Sequence, residues 1–172
     1  VNVLGPLGNG FAVEEGGRYL LVGGGIGVPP LLGYAEAFHK NTVAVLGFRS
    51  ADRVILADRY QEACKEVYLC TDDGSLGRHS FVDTQVRDIL EQDKTFTAVL
   101  ACGPKPMLKN MAKVAAEYGV PCQVSMEERM ACGIGACLGC VCQSTEVDGH
   151  SNVRNKRVCK DGPVFLATEV EL

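Results

Sequence analysis

Three cysteines crowd into one short glycine-rich loop, Cys132-Gly133-Ile134-Gly135-Ala136-Cys137-Leu138-Gly139-Cys140, and a fourth, Cys159, follows further along the chain. The C-x4-C-x2-C spacing with a remote fourth cysteine is that of a plant-type [2Fe–2S] cluster. A loop curling around such a cluster needs positive φ values and amide N–H groups close to the sulfurs, and the interleaved glycines supply that freedom. A structural zinc site is the competing reading. Zinc favours paired knuckles, two thiolates from each half of the site, whereas here three lie together and one stands apart. Cys142 competes with Cys140 as a ligand, although the C-x4-C-x2-C pattern already uses Cys140. Cys64, Cys70 and Cys122 are scattered and read as small buried hydrophobes.

Upstream of the loop, strand-like and helix-like segments alternate. Tyr19 to Val22 reads as a buried strand ended by Gly23-Gly24-Gly25, with a helix following from about Val28 and a proline in its first turn. Thr42 to Phe48 is a second strand, followed by a helix from Asp52 to about Cys64. Val67 to Cys70 is a third strand, Ser80 to Leu90 a helix, and Phe96 to Ala101 a fourth strand. The helix after Pro106 stops at Tyr118-Gly119, and Pro121 to Met126 is the fifth strand. This rhythm predicts an α/β fold with a five-stranded parallel sheet covered by helices. It stops after Glu127. The remaining residues hold the cysteine loop, a polar hairpin-like stretch around Asp148-Gly149, and Cys159. The expected divisions are a linker over 1–17, a nucleotide-binding domain over 18–127 and a small cluster module over 128–172.

Composition narrows the function classes. The 172 residues are 47% hydrophobic, enough for a core without staples, and the net charge is −4 with dispersed basic residues, which argues against nucleic-acid binding. No apolar run approaches the length of a membrane span. Nine cysteines, an odd count without a signal peptide, point to a reducing cytoplasm rather than a disulfide framework.

Ligands of parallel sheets bind beyond the carboxyl ends of the strands, so the loops at Gly23–Gly27, Gly47–Ser50, Thr71–Ser75 and Ala101–Pro106 should gather on one edge. Gly23-Gly24-Gly25-Ile26-Gly27 joins a strand to a helix, where backbone amides favour a pyrophosphate, though it departs from G-x-G-x-x-G. The second strand ends in Arg49-Ser50 rather than an acidic residue, which suits a 2′-phosphate. Asp72 and Asp73 on the next loop point the other way, toward a free ribose diol. Cys102 ends a central strand ahead of Gly103-Pro104.

Together, the GGGIG-PPL turn, GFRS, TDDGS and CGPKPM resemble the pyridine-nucleotide domain of the ferredoxin reductase superfamily. The continuation EERMACGIGACLGC…VCKDGPVF is similar to the electron-transfer subunits of NAD-dependent (class 1B) dihydroorotate dehydrogenases, and the resemblance runs through nearly the whole chain. It implies that Cys132, Cys137, Cys140 and Cys159 ligate the cluster. It implies that Gly24, Gly25 and Gly27 line the nucleotide phosphates, and that Asp72 and Asp73 lie near the adenosine. Cys102, the implied catalytic position, and Gly103 would lie near nicotinamide and flavin. The resemblance further implies NAD as nucleotide, FAD in the full-length protein, and an FMN-containing catalytic subunit as partner in a heterotetramer, with electrons passing from FMN through the cluster and FAD to NAD⁺ in pyrimidine biosynthesis. Members of the family begin with a flavin-binding β-barrel. The segment Val1 to Gly8 looks like the junction after it, and no barrel fits before Tyr19. Two other classes stay open: a bifurcating or hydrogenase-type reductase subunit, and a ferredoxin-like or zinc-stabilised binding module without enzymatic activity.

Overall fold

The computed structural model describes residues 3–147 and 152–172. Strand β1 (Tyr19–Gly24) is buried along its whole length, as the uninterrupted apolar run YLLVGG requires of a strand covered on both faces. Around it lie β2 (Thr42–Phe48), β3 (Glu66–Thr71), β4 (Arg78–His79), β5 (Ala98–Cys102), β6 (Cys122–Ser125) and β9 (Val164–Leu166) in the order β4-β3-β2-β1-β5-β6-β9. The first six run parallel, and β9 returns antiparallel to β6. The strand order reverses at β1, between β2 and β5, which creates the crevice where such sheets take ligands. A separate antiparallel pair, β7 (Val141–Gln143) and β8 (Asn155–Arg157), flanks the segment of the expected hairpin. Asp148 and Gly149 themselves lie outside the described residues, as do Val1 and Asn2 of the expected junction.

Helices α1 (Val28–Phe38) and α2 (Ala57–Ala63) cover one face. Helices α3 (Val82–Gln92) and α4 (Lys105–Tyr118) cover the other. The two faces are read off β1 by its period of two: Tyr19 and Leu21 enter the first core, Leu20 and Val22 the second. The second core runs on into the C-terminal module, where Cys140, Cys142, Phe165 and Val170 join it beside the short helix α5 (Val158–Asp161). Gly119 sits at φ 69° and stops α4 as its position in the sequence predicts.

All five expected parallel strands are present, and the differences have local causes. The sheet has seven strands because the two-residue β4 is too short to show a pattern and β9 comes from beyond the expected boundary. The helix expected from Asp52 is split. Residues Ala51–Arg53 form a single 3₁₀ turn, and α2 begins only after Leu56, which takes a left-handed φ of 60°. The helix expected from Ser80 begins at Val82.

Residues 9–14, in the expected linker, are tied down at several points. The Asn9 amide donates to the Gly162 carbonyl at 2.6 Å, and the Phe11 amide to the Tyr34 hydroxyl at 3.0 Å. The buried Gln123 side chain accepts from the Ala12 amide at 2.8 Å and donates to the Ala12 carbonyl at 2.7 Å, closing a reciprocal pair. Gln123→Ala leaves both Ala12 groups without that partner and is expected to lower stability by about 1–3 kcal/mol, read from urea unfolding. A wild-type midpoint would mean that this strap contributes nothing to the fold.

Candidate functional site

At the carboxyl ends of β1, β2 and β3 lies a cavity of about 440 Å³ lined by Gly24, Gly25, Arg49, Asp72, Asp83 and Met107, among others. The first turn is glycine-rich for two reasons. Gly25 takes φ 53° with open space where a side chain would be, leaving its backbone bare to an approaching ligand. Gly24 faces Met107 Sδ and Pro104 Cδ at separations no Cβ could tolerate. Gly27 is buried and packs against the Cys102 carbonyl, away from the cavity lining.

The two aspartates of the TDDGS loop divide. Asp72 lines the cavity, its amide donating to the Phe48 carbonyl at 3.0 Å. Asp73 turns back into its own loop, where its carboxylate accepts from the Ser75 hydroxyl at 2.6 Å and the Ser75 amide at 2.9 Å. The Ser75 hydroxyl, then its amide, hold the Asp73 carboxyl below the usual range. Arg49 is exposed at the cavity. Asp83, in the first turn of α3, adds an acceptor that the sequence did not single out. Its Oδ1 is buried without a hydrogen-bond partner among the described residues. In sequence it reads as an ordinary first-turn acid favoured by the helix dipole; only the folding of α3 against the cavity sets it apart.

Cys102 ends β5 with 2% of its surface exposed, and burial pushes its thiol up despite the Ser125 hydroxyl beside it. Cys102 and Gly103 therefore support the glycine turn from below. Cys64, Cys70, Cys122 and Cys142 are also buried, and burial raises each thiol, that of Cys122 to about 12. A raised value keeps a thiol protonated and unreactive below it. Iodoacetamide at about pH 8 is accordingly expected to spare all five cysteines in the folded chain and label them after unfolding in urea. Labelling of folded Cys102 would mean that its thiol opens to the ligand edge.

The cysteine loop has no regular secondary structure, and three of its residues take positive φ: Gly133 (71°), Gly135 (83°) and Leu138 (57°). Those turns aim amides at sulfur. Cys132 Sγ accepts from the Ala136 amide at 3.3 Å and the Cys137 amide at 3.4 Å, and Cys137 Sγ from the Gly139 amide at 3.4 Å. Backbone amides, that of Ile134 foremost, lower the Cys132 thiol to about 6. The fourth cysteine arrives on α5, where the Cys159 amide donates to Cys140 Sγ at 3.4 Å. Contact with the Cys140 thiol, then burial, raises the Cys159 thiol. Amide–sulfur contacts thus link the four cysteines two by two, the Cys137 amide to Cys132 Sγ and the Cys159 amide to Cys140 Sγ.

A parallel sheet with a glycine-rich turn at its switch point is joined here to a loop whose amides are directed at cysteine sulfurs. Residues 21–113 match the model of the oxidoreductase NAD-binding domain, and residues 127–171 that of the iron–sulfur cluster binding domain of dihydroorotate dehydrogenase B. The chain belongs to this oxidoreductase NAD-binding family and carries that iron–sulfur domain at its C-terminal side.

The chain is 44% identical over 171 residues to the dihydroorotate dehydrogenase B (NAD⁺) electron transfer subunit of Caldanaerobacter subterraneus subsp. tengcongensis, spanning 99% of this chain and 66% of that protein. It is 48% identical to the subunit of the same name from Geobacillus thermodenitrificans, across 100% of this chain and 65% of that one. The chain therefore spans just under two thirds of the curated relatives it matches. Among solved structures it is similar to an NADH-dependent reduced ferredoxin–NADP oxidoreductase studied for flavin-based electron bifurcation. That likeness has a TM-score of 0.83 and 34% identity, and covers 99% of this chain and 60% of the other. Among the described residues no helix is long and apolar enough to cross a membrane.

Proposed function

We propose that this chain is the nucleotide- and cluster-carrying part of the electron transfer subunit of an NAD-dependent dihydroorotate dehydrogenase. It divides into a nucleotide domain over 18–127 and a cluster module over 128–172, and works in the cytoplasm in a heterotetramer with an FMN-containing catalytic subunit that holds the dihydroorotate site. The observation that carries this reading is the contact of the Cys137 amide with Cys132 Sγ and of the Cys159 amide with Cys140 Sγ in a module whose β9 extends the nucleotide domain's own sheet.

The donor set fits a [2Fe–2S] cluster. Three cysteines on one loop and a fourth on α5, with amides directed at the sulfurs of Cys132, Cys137 and Cys140, are the donor chemistry such a cluster takes, and Cys132, Cys137, Cys140 and Cys159 are the residues that would hold it. The cavity fits a dinucleotide end. Asp83 Oδ1 offers an unused acceptor, Asp72 a second carboxylate and Arg49 a cation, while Gly24 and Gly25 present bare backbone at the turn. Gly27, Cys102 and Gly103 hold that turn against β5. With two carboxylates and one guanidinium along the cavity lining, the balance of charge favours NAD over its 2′-phosphorylated relative. When bound, the cluster supplies one-electron transfer and nicotinamide supplies hydride acceptance, so FAD, held by the full-length protein, stands between them. This chain's residues bind and orient: Cys140 and Cys159 are buried away from water, while Cys137 is exposed.

A bifurcating reductase subunit is the second reading, favoured by the 34% identical oxidoreductase structure. One experiment separates the readings. Full-length protein is purified anaerobically with the FMN-containing subunit, iron, sulfide and flavin are assayed, and NAD⁺ reduction by dihydroorotate is followed. Equal iron and sulfide with dihydroorotate-driven NADH formation supports the proposal. A loaded cluster with no such coupling moves the chain to the bifurcating class. A colourless zinc protein overturns both.

A further inference from the structure

We propose that Arg157 is the positioning residue that fixes the cysteine loop against the fourth thiol, acting through the shape of its guanidinium rather than through its charge. The inference rests on the reading that Cys132, Cys137, Cys140 and Cys159 hold a [2Fe–2S] cluster.

The problem it solves is mechanical. The loop carrying three of the thiols has no ladder of its own, and the fourth thiol rides on α5, a helix of four residues. The β7–β8 ladder and the Val158 amide, which donates to the Cys140 carbonyl at 3.0 Å, fix the end of the loop against α5, and the half that carries Cys132 and Cys137 needs its own hold. Gly135, between Cys132 and Cys137, is where the first half of the loop meets the α5 segment, and three contacts from that segment converge on it. Arg157, the residue that leads into α5, donates from Nη1 to the Gly135 carbonyl at 3.4 Å. The Gly135 amide lies against the Cys159 thiol. The aliphatic stem of Lys160 lies under its Cα, so close that a Cβ at this position would come within 2.9 Å of Lys160 Cδ.

The Arg157 contact is itself held in place on a second side. Its Nε and Nη2 straddle the Asp161 carboxylate at 3.1 and 3.2 Å, and its backbone amide donates to the same carboxylate at 2.8 Å. Asp161 in turn is tied to the N-terminal strap: its carbonyl accepts from Asn9 Nδ2 at 3.1 Å, and the neighbouring Gly162 carbonyl accepts from the Asn9 amide. The chain of contacts thus runs from the strap through Asp161 and Arg157 to the loop. A forked guanidinium can grip a carboxylate with two nitrogens and still present a third to a carbonyl, whereas a lysine ammonium at the end of a flexible stem cannot reproduce that planar geometry. The Asp161 carboxylate also offsets the Arg157 charge, which leaves position as its contribution.

The test compares Arg157→Lys with wild type in the cluster-loaded full chain. Two signals are read: the rate at which an iron chelator bleaches the visible absorption, and the EPR spectrum of the dithionite-reduced centre. The expected result is release faster by about 10–100-fold, the range typical for loss of an outer-shell partner, with altered g-values and with NADH affinity and the bulk melting transition retained. A lysine variant with wild-type release and a wild-type EPR spectrum overturns the proposal, because charge alone would then suffice. Should that variant fail to fold, seen as joint loss of NADH binding and cluster, Asp161→Asn decides. It weakens the fork but keeps its shape, so several-fold faster release supports the clamp and an unchanged rate overturns it. Wild-type protein without equal iron and sulfide would instead remove the cluster assignment itself, and this inference with it.

Discussion

Cys159→Ala, purified without oxygen, is expected to lack the visible absorption of a [2Fe–2S] centre and its iron, while Cys142→Ala retains both. The contrast follows from where the two sulfurs point their neighbours. Cys159 is buried on α5 with its amide on Cys140 Sγ, and in the proposed ligation its thiol is the fourth sulfur, so removing it leaves the cluster one ligand short. Cys142 is buried too, two residues after Cys140, but its place is in strand β7 opposite Lys156, where the thiol packs as a small hydrophobe in the core. Its truncation should cost about 1 kcal/mol of stability and no iron. The loss at Cys159 has a second consequence. The loop has no hydrogen-bond ladder and takes its shape from amides gathered on sulfur, so metal binding and local folding are linked. The variant should therefore become sensitive to proteolysis across residues 130–139 while the nucleotide domain resists. Iron retained in Cys159→Ala but lost in Cys142→Ala would exchange the two assignments.

Much of this was legible in the sequence because its signals are local. Tyr19 to Val22 is apolar without interruption, and Gly119 follows the last turn of a helix, so strand and stop could be placed from a few neighbouring residues. The C-x4-C-x2-C loop is likewise a local pattern, and in the structure the Cys159 amide donates to Cys140 Sγ. What escaped depends on distant partners. Strand β9 is three residues long and exists because β6 offers it an edge. Leu56 interrupts a helical pattern through a backbone angle that no propensity for leucine suggests. Asp83 matters only because α3 is folded over the cavity, and the division of labour between Asp72 and Asp73 is decided by Ser75, which claims one of them. Gly27 is the sharpest case. It belongs to a turn read as a phosphate cradle, yet its tightest neighbour is the backbone of another strand.

That neighbour makes Gly27→Ala a severe substitution. Gly27 has φ −75° and ψ −8°, a conformation alanine adopts readily, so backbone strain contributes nothing. The cost is steric. A Cβ would fall inside contact distance of the Cys102 carbonyl and 2.7 Å from the Gly103 amide nitrogen, backbone atoms at and just past the end of β5, which is paired with β1 and cannot swing away as a side chain would. Helix α1 must lift from the sheet instead, opening the core at Val28 and Leu31, both fully buried. Overpacking of this kind costs about 3 kcal/mol or more, which for a chain of this size is a fall in melting temperature of roughly 6–12 °C. Because the displaced segment is also the turn bordering the cavity, NADH binding should weaken in the same variant. Two neighbouring glycines isolate the cause. Gly25→Ala meets open space but must hold φ 53°, so it should cost about 1 kcal/mol. Gly33→Ala, exposed on α1 with nothing within 4 Å, should stabilise by about 0.4–1 kcal/mol and leave NADH affinity unchanged. A Gly27→Ala protein that melts with wild type would show that β5 and the glycine turn are not in contact. A variant that melts low but binds NADH normally would confine Gly27 to packing and leave the cradle to Gly24 and Gly25.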